Sequence, residues 1–414
     1  MSLQPFVHLH VHTHYSILDG QASVSALVDK AIDDKMRGMA ITDHGNMFGI
    51  KEFYNYVNKK NSKVKSTIKD LTKQLDALRS EGADEAQITE LEVSLEAEKQ
   101  KIFKPIIGCE MYVARGESRF SKQTKQEQGG YHLIVLAKNL TGYHNLIKLV
   151  SHAWTEGFYM RPRTDRDDLK KYSEGLIVAS ACLGGEVPRK IILGSIAEAE
   201  EAIEWYKGVF GDDYYIELQR HKATVPRANH ETYEIQKQVN EVLVSLAQKH
   251  NVKLICTNDV HFVNEEHAEA HDRLICLSTS KDLDDETRML YSKQEWFKTT
   301  EEMNNVFADI PEALANTNEI LDKVEFYSID NPPIMPTFNI PEEFGTEEEY
   351  RQKYTHQDIF DEFTRDENGN VVLSQEDAEA KIKRLGVYFC RYSSSVPNSS
   401  GILKVGIIGG LSIE

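Results

Sequence analysis

The sequence predicts an α/β fold, a TIM-like β/α barrel, on two observations. Seven short, largely apolar runs of four to eight residues lie between the N-terminus and about residue 262, and helical patterns separate them. Runs of this kind are typical of strands buried on both faces of a parallel sheet. Repeated alternation of strand and helix predicts a closed or nearly closed barrel, with a doubly wound sheet as the competing arrangement.

The strands and two of the helices follow from these patterns. The predicted strands are Phe6 to His12, Met39 to Thr42, Ile106 to Val113, Tyr131 to Ala137, Leu176 to Cys182, Tyr214 to Leu218 and Leu254 to Thr257. Helical spacing from Val24 to Ile32 follows a Ser23 cap, and Gly38 is placed to end that turn. A capping-box pattern, Ser195 to Glu198, opens another helix that stops near Gly211.

Two further regions depart from the strand and helix alternation. Residues from about 60 to 103 carry apolar side chains at helical spacing, which predicts an inserted hairpin of two antiparallel helices. Helical spacing returns from Glu301 to Leu321 and meets a proline cluster of Pro332, Pro333, Pro336 and Pro341. We therefore expect a barrel domain over 1–285, a short helical extension with a proline-rich linker over 286–345, and a third region over 346–414. Its tail from Gly386 is poor in charge and gives no clear fold signal.

Composition limits the classes of function. The formal net charge of −18 argues against a broad basic surface for nucleic acid, so any such contact must be local. Five cysteines without a CxxC pair suggest no disulfide framework. The sequence shows neither a signal peptide nor an apolar run long enough to span a membrane, so we expect no membrane partner and a cytoplasmic location.

Potential metal ligands gather at the predicted strand ends. In the stretch FVHLHVHTHYSILDG, His10 and His12 share one side of an extended strand and form a pair able to hold one ion. Further candidates follow or terminate other strands, or in two cases sit within them: His44, Glu110, His132, Cys182, Asp259 and His261. Because active sites of β/α barrels lie where the strands end, these side chains predict one shared site.

The motifs resemble the PHP (polymerase and histidinol phosphatase) domain, in the form found at the amino terminus of bacterial DNA polymerase III alpha subunits. The resemblance rests on HLHVHTHYSILDG, AITDHGNMFG, PIIGCEMYV, YHLIVLAKNLTGYHNLIKLVS, GFYMRPRTDRDDL, ASACLGGEVP, IELQRH and TNDVHF, in that order over residues 5 to 285. It implies a distorted seven-stranded barrel. It also implies nine metal-binding positions, here His10, His12, Asp19, His44, Glu110, His132, Cys182, Asp259 and His261.

This ligand set implies a chemistry. Nine ligands exceed the needs of one ion, so we expect two or three divalent ions of Zn, Mn or Fe. Such ions acidify a bound water and stabilise phosphoryl oxygens, which is the chemistry of phosphoester hydrolysis. The residues expected to carry it are His10, His12, Asp19, His44, Asp259 and His261. Asp43 is placed to orient a neighbouring ligand.

The sequence evidence for substrate-binding residues is less specific than that for the metal ligands. Arg161, Arg163, Arg220 and His221 are candidates to bind phosphate, since guanidinium pairs bidentately with it, but surface salt bridges explain them equally well. Cys182 is either a metal ligand or a nucleophile activated by a histidine, and ligation is favoured.

Three functions stay open at this point. One is a metal-dependent phosphoesterase that trims DNA 3′ ends as a 3′–5′ exonuclease within a replicative polymerase, with DNA and other holoenzyme subunits as partners. The second is a metal-bound, non-catalytic scaffold of that polymerase, and the third is a stand-alone phosphatase for a small metabolite. The resemblance implies that 346–414 begins a polymerase palm, whose catalytic carboxylates are not found in this sequence.

Overall fold

The computed structural model divides the chain into two compact units, Met1–Ile329 and Asp330–Glu414. It describes residues 3–81, 84–116, 118–332 and 334, and then 358, 360–361, 364–366, 368–384, 396–397 and 403–404. The division predicted from sequence, into 1–285, 286–345 and 346–414, stays a prediction.

A seven-stranded mixed sheet forms the centre of the first unit. Its strands are β1 Gly38–Ile41, β2 Lys104–Ala114, β3 Gly130–Ala137, β4 Arg163–Thr164, β5 Leu176–Ala179, β6 Tyr214–Leu218 and β7 Lys253–Cys256. The order is β1-β2-β3-β5-β6-β7, with β4 paired to β2. The expectation of a parallel sheet was wrong at one place, because β3 runs antiparallel to both β2 and β5.

The residues Phe6–His12, called the closing segment below, connect β1 at one edge of this sheet to the loop that follows β7 at the other. The prediction of a regular strand here was wrong, since Val11 alone forms an isolated bridge, with Val260. On one side Ala40 N donates to His8 O at 2.8 Å. On the other, His12 N donates to Val260 O at 2.7 Å. The predicted distorted β/α barrel is thus confirmed, and the closing segment brings its histidines to the sheet's carboxyl ends.

Helices surround the sheet, and their bounds are α1 Val24–Asp33, α2 Ile50–Lys60, α3 Ser62–Glu81, α4 Glu85–Lys99, α5 Leu140–Thr155, α6 Arg166–Lys171, α7 Glu186–Ile192, α8 Ile196–Phe210, α9 Pro226–Ala228, α10 Glu234–His250, α11 Ala268–Thr279, α12 Thr300–Val306 and α13 Pro311–Lys323. None of the helices among the described residues has both the length and the apolar character needed to cross a bilayer.

The predicted helix ends were partly right. The Ser23 side chain caps α1 by accepting from Ala26 N. Gly38 does not end that helix but begins β1, where a Cβ would lie 2.4 Å from Lys104 O. The α8 helix has the predicted ends, with Ser195 before it and Gly211 after it at φ 58°, but the Ser195 side chain makes no capping hydrogen bond.

The inserted hairpin is confirmed as α3 and α4, which pack against each other. Its two ends meet at the barrel, where the Asn61 amide donates to Phe103 O at 2.7 Å and accepts from Phe103 N at 3.0 Å. The predicted helical extension is confirmed as α12 and α13.

In the second unit the structure describes helix α14, Gln375–Arg384, and two short paired strands, β8 Val396–Pro397 and β9 Leu403–Lys404. Apart from Pro332, the predicted proline cluster lies outside the described residues, as does most of the tail from Gly386.

Candidate metal centre

Nine side chains from distant parts of the sequence converge at one end of the barrel. The elements that carry them are the closing segment and the turn after it (His10, His12, Asp19), the loop after β1 (His44), β2 (Glu110), β3 (His132), the loop after β5 (Cys182) and the loop after β7 (Asp259, His261). Each lies within 4 Å of at least one other member of the set. The shared site predicted from the strand ends therefore exists as a geometric cluster.

Glu110 lies at the middle of one half of this cluster. Its carboxylate is 1% exposed, with Oε2 2.6 Å from His44 Nδ1 and Oε1 2.7 Å from His132 Nδ1. Burial alone would raise the pKa of Glu110, but His132, His44 and His10 outweigh it and hold that pKa well below its usual range. Glu110 is thus an anion enclosed by imidazole rings.

Asp259 has the same position in the other half. Its Oδ1 lies 3.0 Å from His10 Nε2 and 3.2 Å from His12 Nε2, and these two ring nitrogens are 3.2 Å apart. Asp259 has a φ of 47°, in the left-handed region that non-glycine residues rarely adopt. This strained backbone turns the carboxylate onto the two histidines, and such strain is common at functional sites.

Asp19 and His261 complete the outer side of the cluster. Asp19 Oδ2 lies 3.0 Å from His44 Nε2, and Oδ1 lies 3.8 Å from His261 Nε2. The hydroxyl of Tyr291 donates to Asp19 Oδ1 at 2.9 Å. Tyr291 comes from the region after the barrel strands, and nothing in the sequence pattern had singled it out.

Cys182 lies beside the Glu110 half. Its Sγ is 3.5 Å from His132 Nδ1 and 3.9 Å from Glu110 Oε1. Burial, together with the carboxylates of Glu110 and Asp259, raises the pKa of the thiol well above its ordinary value. The thiolate is the form that both a nucleophile and a metal ligand require, and a bound cation would favour it.

The two histidines of the closing segment have opposite electrostatic character. Burial lowers the pKa of His10, but Asp259, Glu217 and Glu110 outweigh it and raise that pKa well above its ordinary value. For His12, burial and the neighbouring His44 and His261 lower the pKa to about 3.

The donor set fits metal ions. Three overlapping groups each bring ligand atoms within 4.8 Å of one another among the described residues: His12, His44 and His261; His10, His12 and Asp259; and His44, Glu110 and His132. His44 Nδ1 and Glu110 Oε2, although 2.6 Å apart, are buried and make no hydrogen bond of normal geometry. Imidazole, carboxylate and thiol are the ligands of Zn and related transition metals, so this cluster can hold more than one ion.

A second layer of hydrogen bonds holds the ligands. Glu217 of β6, which the sequence analysis missed, contacts His10 Nδ1 at 2.7 Å. On the other side, Ser16 Oγ lies 3.0 Å from His12 Nδ1 and donates to Asp43 Oδ1 at 2.7 Å. Asp43 is therefore linked to His12 through Ser16, and its orienting role stays a prediction.

The candidate phosphate contacts separate into two kinds. Arg161 is exposed, and its guanidinium lies 5.5 Å over the ring of Tyr112, which stacks 6.0 Å from His44. Arg163 is fully buried and donates to the carbonyl oxygens of Gly157, Glu127, Arg119 and Ser121.

Arg220 and His221 are also engaged away from the cluster. Arg220 forms a bidentate ion pair with Asp309, at 2.5 and 2.8 Å. His221 is buried between the Asn258 carbonyl and the Gln236 amide. Among the four predicted contacts, Arg161 alone presents an exposed guanidinium beside the metal centre.

A model of the PHP domain matches residues 8–221, just over half of the chain. This chain belongs to the PHP domain family. Most of the clustered side chains lie within the residues that match the PHP domain, and Asp259, His261 and Tyr291 extend the cluster beyond them.

Several relatives of this PHP protein are named as DNA polymerase III subunit alpha. The protein from Borreliella burgdorferi is 41% identical over 84% of this chain and 26% of its own length. The one from Treponema pallidum is 36% identical over 88% of this chain and 27% of its own, and the one from Thermus aquaticus is 38% identical over 74% and 21%. The chain thus spans about a quarter of the length of these relatives.

Among solved structures, an amidohydrolase from Chromobacterium violaceum aligns over 63% of this chain and 88% of its own, at 12% identity and a TM-score of 0.31. That likeness is too weak to bear on the function.

Proposed function

We propose that this chain is a metal-dependent phosphoesterase, and that its substrate is the 3′ end of single-stranded DNA, as in a 3′–5′ exonuclease. The observation that carries the proposal is the pair of carboxylates, Glu110 and Asp259, each in contact with two histidines at 2.6 to 3.2 Å. Paired histidine and carboxylate groups of this kind are the ligand sets of hydrolytic metal centres.

In this proposal two or three divalent ions of Zn, Mn or Fe bind to the nine clustered side chains. Bound divalent ions stabilise charge on phosphoryl oxygens and acidify water. The protein supplies the rest. Glu217 fixes the ring of His10 through Nδ1 and leaves Nε2 facing the cluster, while Tyr291 orients the Asp19 carboxylate. Arg161, exposed beside the cluster, offers a permanent positive charge to the substrate phosphate.

The relatives' names suggest a larger context. We propose that the chain corresponds to the amino-terminal part of a replicative DNA polymerase, with DNA and other polymerase subunits as partners. The 84% coverage of this chain against 26% coverage of the Borreliella protein supports a correspondence with one part of such a polymerase.

The test is hydrolysis of single-stranded DNA labelled at its 5′ end, with metal content measured on the same samples. The native chain should shorten the strand from its 3′ end. We expect His10→Ala and Asp259→Ala each to lower the hydrolysis rate by about a hundredfold or more, because each removes a side chain that binds metal directly in this proposal. His144→Ala, at an exposed histidine on α5 outside the cluster, is the matched control.

The possible outcomes distinguish the three functions. Equal rates in all four proteins would overturn the proposal. Bound metal without hydrolysis of any phosphoester would make the domain a scaffold. Turnover of small phosphate monoesters without shortening of DNA would make it a small-molecule phosphatase.

A further inference from the structure

Three exposed aromatic side chains lie side by side at the edge of the metal centre. They are Phe48, Trp154 and Phe158, and we call them the aromatic platform. Their exposed fractions are 59%, 42% and 45%. The ring centroids of Phe48 and Trp154 are 6.3 Å apart, and those of Trp154 and Phe158 are 5.5 Å apart in a stacked arrangement.

The platform is fixed to the ligand loop. The indole Nε1 of Trp154 donates to Gly45 O at 2.7 Å, and Gly45 is the residue after His44. Gly45 has a φ of 61°, and a Cβ there would lie 2.7 Å from Pro162, so the loop that follows Phe158 packs directly against the loop that carries His44. A large apolar area is therefore held open to solvent next to the cluster.

Positive charge flanks the platform in a protein whose net charge is −18. Arg161 lies over the ring of Tyr112, which stacks against His44 of the cluster. The buried guanidinium of Arg163 ties the loop of residues 119–127 to Gly157, immediately before Phe158. That loop presents Lys122 and Lys125 as exposed side chains.

We propose that the aromatic platform binds single-stranded nucleic acid and leads its end into the metal centre. This inference rests on the proposed phosphoesterase function and adds the site that holds the substrate strand. Every base has a π-face, so exposed rings beside cationic groups bind single strands with little regard to sequence. The local positive charge meets the requirement that a strongly acidic protein contact phosphates at a restricted place.

The test measures binding without catalysis, so that it is independent of hydrolysis. A fluorescent dodecamer of thymidylate is titrated with the full chain in EDTA, and affinity is read from fluorescence anisotropy. We expect Trp154→Ala and Phe158→Ala each to weaken binding about tenfold, within the range of a single base stack. Trp154→Phe retains the ring without the indole donor and should bind nearly as well as the native chain.

Two further variants distinguish the contribution of the platform rings to binding from that of an exposed ring elsewhere and from that of the positive charge of Arg161. Phe326→Ala is the matched control, because Phe326 is an exposed ring, at 66%, that lies beside Lys104, the first residue of β2, away from Glu110. It should bind like the native chain. Arg161→Gln should lower the slope of log affinity against log salt by about 0.7, the loss of one phosphate contact to a single strand.

The outcomes are decisive even if the hydrolysis experiment fails. Affinity unchanged by both Trp154→Ala and Phe158→Ala would overturn the inference and leave the platform as a surface for a protein partner. If Trp154→Ala also disturbs the fold of the loop that carries His44, Phe158→Ala decides, since it leaves the Trp154 to Gly45 hydrogen bond in place. A ribonucleotide dodecamer bound as tightly as the deoxy form would assign the platform to single strands in general, and weaker binding would assign it to DNA.

Discussion

The Glu217 carboxylate lies 2.7 Å from His10 Nδ1, and both side chains are fully buried. The same oxygen accepts from Gln219 at 2.8 Å and from Thr257 at 2.5 Å. A carboxylate on one ring nitrogen fixes the tautomer and leaves the other nitrogen for a metal, and loss of such a partner typically costs 10- to 100-fold in metal affinity.

We therefore expect Glu217→Gln to weaken metal binding by about tenfold or more, because a neutral amide makes His10 a poorer ligand. The measurement is a chelator competition followed by metal analysis. Glu319→Gln is the control, since Glu319 accepts from Tyr215 near the other end of β6 and touches no member of the cluster. Native affinity in Glu217→Gln would show that the negative charge of Glu217 does not strengthen His10 as a ligand.

The second prediction concerns Tyr291, which lies in the region after the barrel strands and contacts Asp19 in the metal centre. Tyr291→Phe removes the hydroxyl that donates to Asp19 at 2.9 Å and keeps the ring. A hydrogen bond to a charged group contributes about 1.5 to 3 kcal/mol, so we expect the DNA hydrolysis rate to fall by about tenfold. Tyr327→Phe, which removes a weaker 3.4 Å contact to Ala137 O, should have native activity. Equal rates in the two variants would exclude a role for the Tyr291 hydroxyl.

Much of the fold could be predicted from the sequence, because strands buried on both faces appear in it as short apolar runs. Six of the seven predicted strands exist, and the errors have local causes. The apolar pattern of a buried strand such as β3 is the same whether it runs parallel or antiparallel to its neighbours. Its antiparallel direction could therefore not be predicted from the sequence. The closing segment hydrogen-bonds to β1 and to the loop after β7 through an irregular backbone. The strand β4 has two residues and is too short to form a pattern.

The cluster was predictable for a different reason. Histidines, carboxylates and a cysteine at strand ends stand out against apolar neighbours, whereas their supporting residues do not. Glu217 had one signal, a single carboxylate inside the apolar run YYIEL, and such a group must have a partner when buried. Arg163 was predicted as a phosphate contact because the sequence does not distinguish an arginine that donates to four backbone carbonyls from one that binds phosphate.

The hairpin of α3 and α4 should be dispensable for the barrel. Leu75 and Leu95 are buried in the hairpin but lie outside the barrel's hydrophobic core. Because Asn61 and Phe103 already meet through two hydrogen bonds, replacing residues 62–101 by a short Gly-Ser linker closes a small gap. We expect the free energy of unfolding to change by less than about 1 kcal/mol, with metal content unchanged.

The matched variant for this deletion is Asn61→Ala in the full chain. It leaves two buried backbone groups of Phe103 without partners, each of which should cost about 1 to 3 kcal/mol. Denaturant unfolding compares the two. If the deletion destabilises the barrel more than Asn61→Ala does, the hairpin contributes to the barrel fold.

Acid stability supplies the last prediction, through His8. Its ring packs 4.0 Å from that of Phe297, and Nε2 donates to Lys298 O at 2.8 Å, so it is a structural residue of the closing segment. Burial lowers the pKa of His8 to about 3. The unfolded chain, with an ordinary pKa of about 6.5, therefore binds more protons than the folded chain between pH 6.5 and 3, and stability falls as the pH falls through that window.

His8→Gln retains a neutral donor at every pH and removes this titration. The variant should be less stable than the native chain at pH 7, because an amide packs poorly against Phe297. The difference should shrink by up to about 1.4 kcal/mol for each pH unit below 6.5, as the native chain loses its His8 contribution. Denaturant unfolding from pH 7.5 to 4.5 measures both curves. Parallel curves would mean that His8 becomes protonated within the folded barrel, which its packing between aromatic rings and a backbone carbonyl should prevent.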